Sequence, residues 1–176
     1  MRKMPTRGRA ALFVGAAAVV AALAFGAWRS TSSTTMALNG VALTVPAGWG
    51  RESFVNPSGM AVFRLGSYDF RHAKDDDVGQ VARASMGPRD ILINTIDVTP
   101  TERGDGRSYY EPAGLPLVVA RSEATGQEGY TNPAAVIRGV RVDGHDLYVS
   151  VAFGQAPPSD AQVAAANAAL RTLTVL

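Results

Sequence analysis

The chain of 176 residues contains no cysteine. This excludes a disulfide framework, a thiolate zinc site, a cysteine nucleophile and a lipid-modified N-terminal cysteine. Histidine is nearly absent as well, because His72 and His145 are its two occurrences. A closed zinc site would therefore need carboxylates for its remaining ligands. We predict no structural metal and no cofactor.

Basic residues are concentrated near the N-terminus. The first 29 residues hold five of the 17 basic side chains, namely Arg2, Lys3, Arg7, Arg9 and Arg29. The rest of the chain keeps 12 basic and all 15 acidic residues, which gives it a net charge of −3. A mildly acidic domain lacks the positive surface that nucleic acids require. We therefore predict no nucleic-acid partner.

One long hydrophobic run, Ala10–Trp28, carries no charged residue. As a helix of 19 residues it would span about 28 Å, close to the hydrocarbon core of a bilayer. Basic residues precede the run more often than they follow it, so the C-terminal part is expected outside the membrane. The predicted organisation is a basic cytoplasmic tail (1–9), a transmembrane helix or signal anchor (10–28), a polar linker (29–36) and an extracytoplasmic domain (37–176).

A cleaved signal peptide is the alternative interpretation of the same run. The run is longer than the usual apolar stretch of a signal peptide, but it is rich in alanine, and Ala24-Phe25-Gly26 offers small residues for a cleavage site. The protein would then be secreted. We expect a single-pass protein of the cell membrane, and both interpretations place the domain outside.

Hydrophobic alternation predicts several strands in the outer domain. Val41–Val45 alternates as a half-buried strand does, and Ala61–Leu65 is predicted as a second strand. Ile91–Val98 is apolar on both faces at its start, which predicts a central strand. Leu115–Ala120 is predicted as a strand with Pro116 at an edge or strand-start position, because proline cannot donate a ladder hydrogen bond.

A hairpin and a terminal helix complete the predicted fold. Asp143-Gly144 joins two apolar-rich runs, 134–142 and 145–153, and is typical of a two-residue type I′ turn. Ser159 and Gln162 form a capping box for a last helix with the apolar stripe Val163, Ala166, Leu170 and Leu173. A short helix from Asp76 or Asp77 to about Met86 is also predicted. The predicted class is α+β, with one mostly antiparallel sheet packed by the C-terminal helix.

The two ends of this domain resemble a known architecture. Gly40–Trp49, a strand that runs into Pro-x-Gly-Trp, and Ala168–Val175 resemble the PsbP/Mog1-type α/β/α sandwich. They resemble small exported actinobacterial proteins of unknown function even more. The resemblance covers about 20 residues. It implies a non-catalytic binding or assembly role and supplies no active-site residues.

No catalytic motif is present. The chain has no Gly-x-Ser-x-Gly elbow, no His-Glu-x-x-His and no phosphate-binding glycine loop. His72 precedes Asp75-Asp76-Asp77, which we interpret as a solvated loop with a helix cap. His145 and Asp146 are adjacent in a strand and must point to opposite faces, so we predict an exposed turn histidine and no dyad. No residue is predicted as catalytic, cofactor-binding or metal-binding.

Two long connections are the predicted partner surface. Residues 99–114 and 125–133 are long for loops inside a small domain. They carry tyrosine and arginine, which often anchor interfaces. The candidate partner-binding residues are Arg103, Arg107, Tyr109, Tyr110, Glu111 and Tyr130. The expected partner is another envelope or membrane protein. The sequence carries no signal for an oligomeric state.

The favoured function is therefore a membrane-tethered extracytoplasmic interaction or assembly domain of the cell envelope, without catalysis. One alternative is an envelope hydrolase, which would need two or more acidic or histidine side chains in a deep pocket. Another is a secretion-accessory protein whose partner lies in the membrane and packs against residues 10–28.

Overall fold

Nine strands and two α-helices form in the part of the chain that the computed structural model describes, residues 32–70, 78–101, 110–125 and 134–176. The strands are β1 (Thr34–Leu38), β2 (Val41–Val45), β3 (Gly50–Val55), β4 (Ala61–Gly66), β5 (Ile91–Asp97), β6 (Glu111–Pro112), β7 (Ala134–Val142), β8 (His145–Phe153) and β9 (Thr174–Val175). The helices are α1 (Gln80–Arg83) and α2 (Asp160–Leu170), and a 3₁₀ turn covers Arg121–Glu123. The predicted α+β class with mostly antiparallel pairing and a C-terminal helix is confirmed.

The strands divide into two sheets, so the prediction of one sheet is wrong. The larger sheet has the order β3-β4-β5-β8-β7-β6, and the smaller has the order β1-β2-β9. The chain turns after β2, where the Trp49 N–H donates to the Pro46 carbonyl. As a result, β3 joins β4 and leaves the free edge of β2 to the C-terminal strand. The pair β6–β7 is parallel, and the other described pairs are antiparallel.

Strand β5 occupies the centre of the larger sheet, as its sequence predicts. It pairs with β4 on one side and with β8 on the other, and all seven of its residues are buried. Its odd-numbered positions Ile91 and Ile93 belong to the main core, while Leu92 packs on the opposite face. The sheet is therefore covered on both faces at this strand.

The β7–β8 hairpin confirms the prediction made from Asp143-Gly144. The two turn residues have positive φ values of 47° and 85°, as a type I′ turn requires. Val142 pairs with His145 directly across the turn. Four alternate residues of β8 were predicted to share one face, and all four lie in the main core: Leu147, Val149, Val151 and Phe153.

Helix α2 begins at the predicted capping box. The Gln162 backbone N–H donates to Ser159 Oγ at 3.2 Å, and the Ser159 N–H donates to Gln162 Oε1 at 2.9 Å. Leu170 is fully buried in the main core, together with Leu43 of the smaller sheet and Phe63 of the larger one. The helix and the smaller sheet thus share this core face of the larger sheet.

The segment 115–120 is not a strand, although it was predicted as one. Leu117 and Val119 are buried and alternate with exposed neighbours. However, the Asn167 side chain of α2 provides the Val119 hydrogen bonds, accepting from its N–H at 2.8 Å and donating to its carbonyl at 3.0 Å. An extended segment packed on a helix shows the same alternation as a strand. A two-residue strand, β6, lies instead within the predicted loop 99–114.

Helix α1 is shorter than predicted and has a different cap. Its N-cap is Gly79, with φ of 77° and no side-chain cap, and the predicted caps Asp76 and Asp77 lie outside the described residues. A Cβ at Gly79 would approach Arg64 Nε to 3.1 Å. Glycine therefore permits both the left-handed backbone and the close contact with the sheet.

The predicted membrane segment 10–28 also lies outside the described residues. Within the described ranges, no helix combines the length and the apolar character needed to cross a membrane.

Candidate functional site

Both predicted partner segments meet the larger sheet at the same strand, β7. Thr125 forms an antiparallel bridge with Ala135, with hydrogen bonds of 3.2 and 3.0 Å between their main chains. Glu111, in β6, pairs in parallel with Val140. The two segments are separated by residues 115–124, and both reach the same edge of the larger sheet. We call this region the β7 edge. It consists of Glu111, Glu123, Ile137, Arg138 and Gly139.

Two of the six candidate partner-binding residues fall within the described chain. Tyr110 directly precedes β6 and is half-buried, and Glu111 is exposed. The remaining candidates lie outside the described residues, namely Arg103, Arg107, Tyr109 and Tyr130. The structure therefore places Glu111 on the β7 edge and leaves these four positions as predictions.

An open cavity of about 530 Å³ lies along the β7 edge. This volume is within the range of small-ligand and peptide-side-chain pockets. Its lining residues are Glu111, Pro112, Ala113, Glu123, Ile137, Arg138, Gly139 and Val140. Charged side chains thus border a groove whose floor is strand main chain.

The main chain of β7 turns polar groups toward this groove. Ala135 uses its N–H and carbonyl to bond Thr125, and the Arg141 carbonyl accepts from the Ala113 N–H at 2.9 Å. Because the direction of main-chain groups repeats every second residue along a strand, Ile137 and Gly139 direct theirs to the same side. The parallel pairing of Glu111 with Val140 uses the Gly139 carbonyl, because Pro112 has no N–H to offer. Among the described residues, this edge therefore offers the N–H and carbonyl of Ile137 and the N–H of Gly139 to an extended chain.

Glu123 and Arg138 form an ion pair at the border of the groove. The second carboxylate oxygen of Glu123 accepts the Ala120 N–H at 2.6 Å. This main-chain hydrogen bond is the largest cause that holds the pKa of Glu123 below its ordinary value. Burial opposes it, and Arg138 lowers the pKa further. Glu123 is thus ionised at neutral pH and fixes the 3₁₀ turn beside β7. Such an exposed pair contributes little to stability.

His145 is not the exposed turn residue that its position predicts. Its Nδ1 lies 3.0 Å from Asp97 Oδ2, and the Asp97 carboxylate is buried. Asp146 points to the other face, as predicted, and its two carboxylate oxygens accept from Arg141 at 2.7 and 2.8 Å. The His145–Asp97 and Arg141–Asp146 pairs both lie at the end of the larger sheet next to the β7–β8 turn. The Asp97 carboxylate also accepts the N–H of Thr99 at 3.1 Å.

A buried polar row, absent from the prediction, crosses the second face of the larger sheet. Glu52, Arg64, Asn94 and Ser150 are direct neighbours on β3, β4, β5 and β8. All four are buried. Arg64 Nη1 donates to Glu52 Oε2 at 2.7 Å, and Arg83 of α1 donates to Ser150 Oγ at 3.2 Å. Since buried polar groups require partners, the row fixes how α1 and the strands fit together.

Tyr68 adds a further contact between α1 and this face. Its hydroxyl donates to the Ala82 carbonyl at 2.6 Å, and its ring meets Phe70 edge to face. Burial raises the pKa of Tyr68, and the nearby Asp90 carboxylate raises it further. Tyr68 is therefore a neutral structural donor.

The candidate site is thus the β7 edge, where one predicted residue and an open groove coincide. Within the described ranges, no group of three or more histidine, aspartate or glutamate side chains is placed to hold a metal ion. No family model, no curated protein and no solved structure matches the chain.

Proposed function

We propose that the chain is a membrane-tethered extracytoplasmic binding domain whose protein partner docks along the β7 edge. Residues 10–28 supply the tether, and residues 37–176 supply the domain. The partner is an envelope or membrane protein that presents an extended segment to the groove.

One observation carries this proposal. Residues on both predicted partner segments bond to β7 on either side of a short stretch of its edge that pairs with no other strand among the described residues. A sheet edge with exposed main-chain groups can add a strand from another chain, and side chains beside the edge then select the partner. Glu111 and the Glu123–Arg138 pair are such side chains.

The charges in the groove favour binding over hydrolysis. Glu111 and Glu123 line the same groove, which is what a carboxylate hydrolase would need. A general acid, however, requires a carboxyl group with a raised pKa. The pKa of Glu123 is lowered instead, and both of its oxygens have hydrogen-bond partners. The contacts of Glu123 are thus suited to stabilising the 3₁₀ turn against β7, and not to donating a proton.

Reversing the charge of Glu111 tests the binding surface. In the full-length chain, Glu111→Lys is expected to reduce the yield of crosslinked partner roughly tenfold, because a like-charge contact at an interface weakens association. The measurement is affinity isolation of the tagged chain from crosslinked membranes, with quantitative mass spectrometry.

Asp69→Lys is the matched control, since Asp69 is exposed and lies outside the β7 edge. It is expected to leave the yield unchanged. Equal partner yields from Glu111→Lys and from the unaltered chain would exclude Glu111 from the binding surface.

The absence of cysteine makes the topology directly measurable. A single cysteine at Ser58, which is exposed, should react in intact cells with a maleimide that cannot cross membranes. A single cysteine at Thr6 should react only after permeabilisation, because the positive-inside rule places residues 1–9 in the cytoplasm. The opposite pattern would contradict the proposed topology. A mature N-terminus near Ala27 would instead indicate secretion after cleavage.

A further inference from the structure

A second groove, of about 480 Å³, lies at the end of the larger sheet where β5 begins and β8 has ended. The first turn of α2 forms one wall. The lining residues with polar side-chain groups are Trp49, Ser67, Arg89, Gln155, Ser159 and Gln162. None of them is acidic. We call it the Trp49 groove, and its volume is typical of a small-ligand site.

Part of the polar lining of the Trp49 groove is fixed by internal hydrogen bonds. Gln162 Nε2 donates to the Pro88 and Asp90 carbonyls, both at 3.2 Å, and its Oε1 accepts from Ser159. Ser67 Oγ accepts the Ile91 N–H at 2.9 Å. These contacts hold α2, the 88–90 turn and β5 together, which gives the groove a preorganised wall.

Other polar groups in the lining are uncommitted. Among the described residues, the side chains of Arg89 and Gln155 and the indole N–H of Trp49 make no hydrogen bond to the protein. Trp49 and Gln155 are half-buried, and Arg89 is exposed. An aromatic ring, a planar amide and a guanidinium therefore border one apolar cavity, and all three have polar groups available to a ligand.

This combination selects the chemistry of the ligand. An indole offers an apolar surface to the C–H face of a sugar ring, with a donor at its border. A planar amide can donate to and accept from an acetamido group. A guanidinium recognises a carboxylate by paired, charge-assisted hydrogen bonds, and no lining carboxylate competes for it.

We propose that the Trp49 groove binds an N-acetylated amino-sugar glycan that carries a carboxylate. Gln155 pairs with the acetamido group, Arg89 with the carboxylate, and Trp49 contacts the ring. The access of such a glycan to the groove rests on the proposed extracytoplasmic location, whereas binding in solution does not.

The test uses the fluorescence of Trp49. The chain has two tryptophans, Trp28 and Trp49, so Trp28→Phe in the full-length protein leaves Trp49 as the one indole reporter. The probes are the disaccharide of N-acetylglucosamine and N-acetylmuramic acid, which carries a carboxylate, and diacetylchitobiose, which does not. The acidic disaccharide is expected to give a saturable change and to bind roughly tenfold more tightly than diacetylchitobiose.

Two variants locate the contacts. Arg89→Ala is expected to abolish the preference for the acidic disaccharide, and Gln155→Ala to weaken both probes. Arg51→Ala, at an exposed arginine on β3, is the matched control and is expected to change neither affinity.

No saturable fluorescence change with either probe in the millimolar range would overturn the inference. Equal affinities for the two probes, or a preference that survives Arg89→Ala, would also overturn it. Glu111→Lys is expected to leave both titrations unchanged, so failure at the Trp49 groove and failure of the β7 edge proposal are distinguishable.

Discussion

Replacing Arg64 by methionine is expected to lower the free energy of unfolding by about 3–5 kcal/mol. Arg64 is fully buried, and its guanidinium lies 2.7 Å from the buried Glu52 carboxylate. Methionine has a similar length and no charge, so the substitution leaves a carboxylate in an apolar environment without this cation. The measurement is denaturant unfolding of the full-length chain.

Two further variants separate the ion pair from general damage to the sheet. Arg51→Met, at an exposed arginine on the adjacent strand β3, is expected to change stability by less than about 0.5 kcal/mol. Adding Glu52→Met to Arg64→Met removes the second charge and is expected to restore about 0.5–3 kcal/mol. If the double variant is less stable than Arg64→Met alone, the ion pair does not dominate the buried polar row.

Leu170→Ala is expected to destabilise the domain by about 2–5 kcal/mol. Leu170 is fully buried on α2 and packs into the main core between the two sheets. Truncating it removes apolar contacts with both sheets and leaves a cavity, because the neighbouring strands are fixed by their pairing.

The matched control for Leu170 is the same substitution at Leu176, whose exposed fraction is 82%. The contact of Leu176 with Gly40 is made by its main-chain N–H, which alanine retains. Leu176→Ala is expected to change the free energy of unfolding by less than about 0.5 kcal/mol. Equal effects at both positions would contradict the core position of α2.

Local chemistry predicted the parts of the fold that depend on neighbouring residues. Asp143-Gly144 favours positive φ at two consecutive positions, which few other residue pairs allow. Ser159 and Gln162 satisfy each other's main-chain donors within one turn. The apolar start of β5 indicated burial on both faces. In each case the physical cause lies within a few residues of the element.

The failures arise where distant residues supply the hydrogen bonds. Leu117 and Val119 alternate like strand residues, but the main-chain hydrogen bonds of Val119 go to the Asn167 side chain, nearly fifty residues away. The alternation of β4 and β5 predicts that Arg64 and Asn94 share a face, but it does not predict that α1 and Phe70 cover that face. His145 was likewise predicted to be exposed, because its sequence neighbours do not show that Asp97 is its partner. The pairing of β5 with β8 brings the Asp97 carboxylate next to the His145 ring.

The residues of the candidate site likewise fall into those that the sequence predicted and those that it did not. Loop length and composition predicted Glu111 as a partner-binding residue, and the structure places it beside an open groove. Arg138 and Glu123 were missed because Arg138 lies in a strand and Glu123 in a 3₁₀ turn. The charged residue inside the apolar run 134–140 was the one available signal, and it gave no indication of its partner.

Site-specific photo-crosslinking on the two edges of the larger sheet tests the central claim most directly. A photoreactive residue is introduced at Glu111, on the β7 edge, or at Ser53, exposed on the opposite edge strand β3. Illumination of membranes is expected to give a discrete adduct with an envelope protein from position 111 and none from position 53. Adducts of equal yield from both positions, or an adduct from position 53 alone, would contradict docking on the β7 edge.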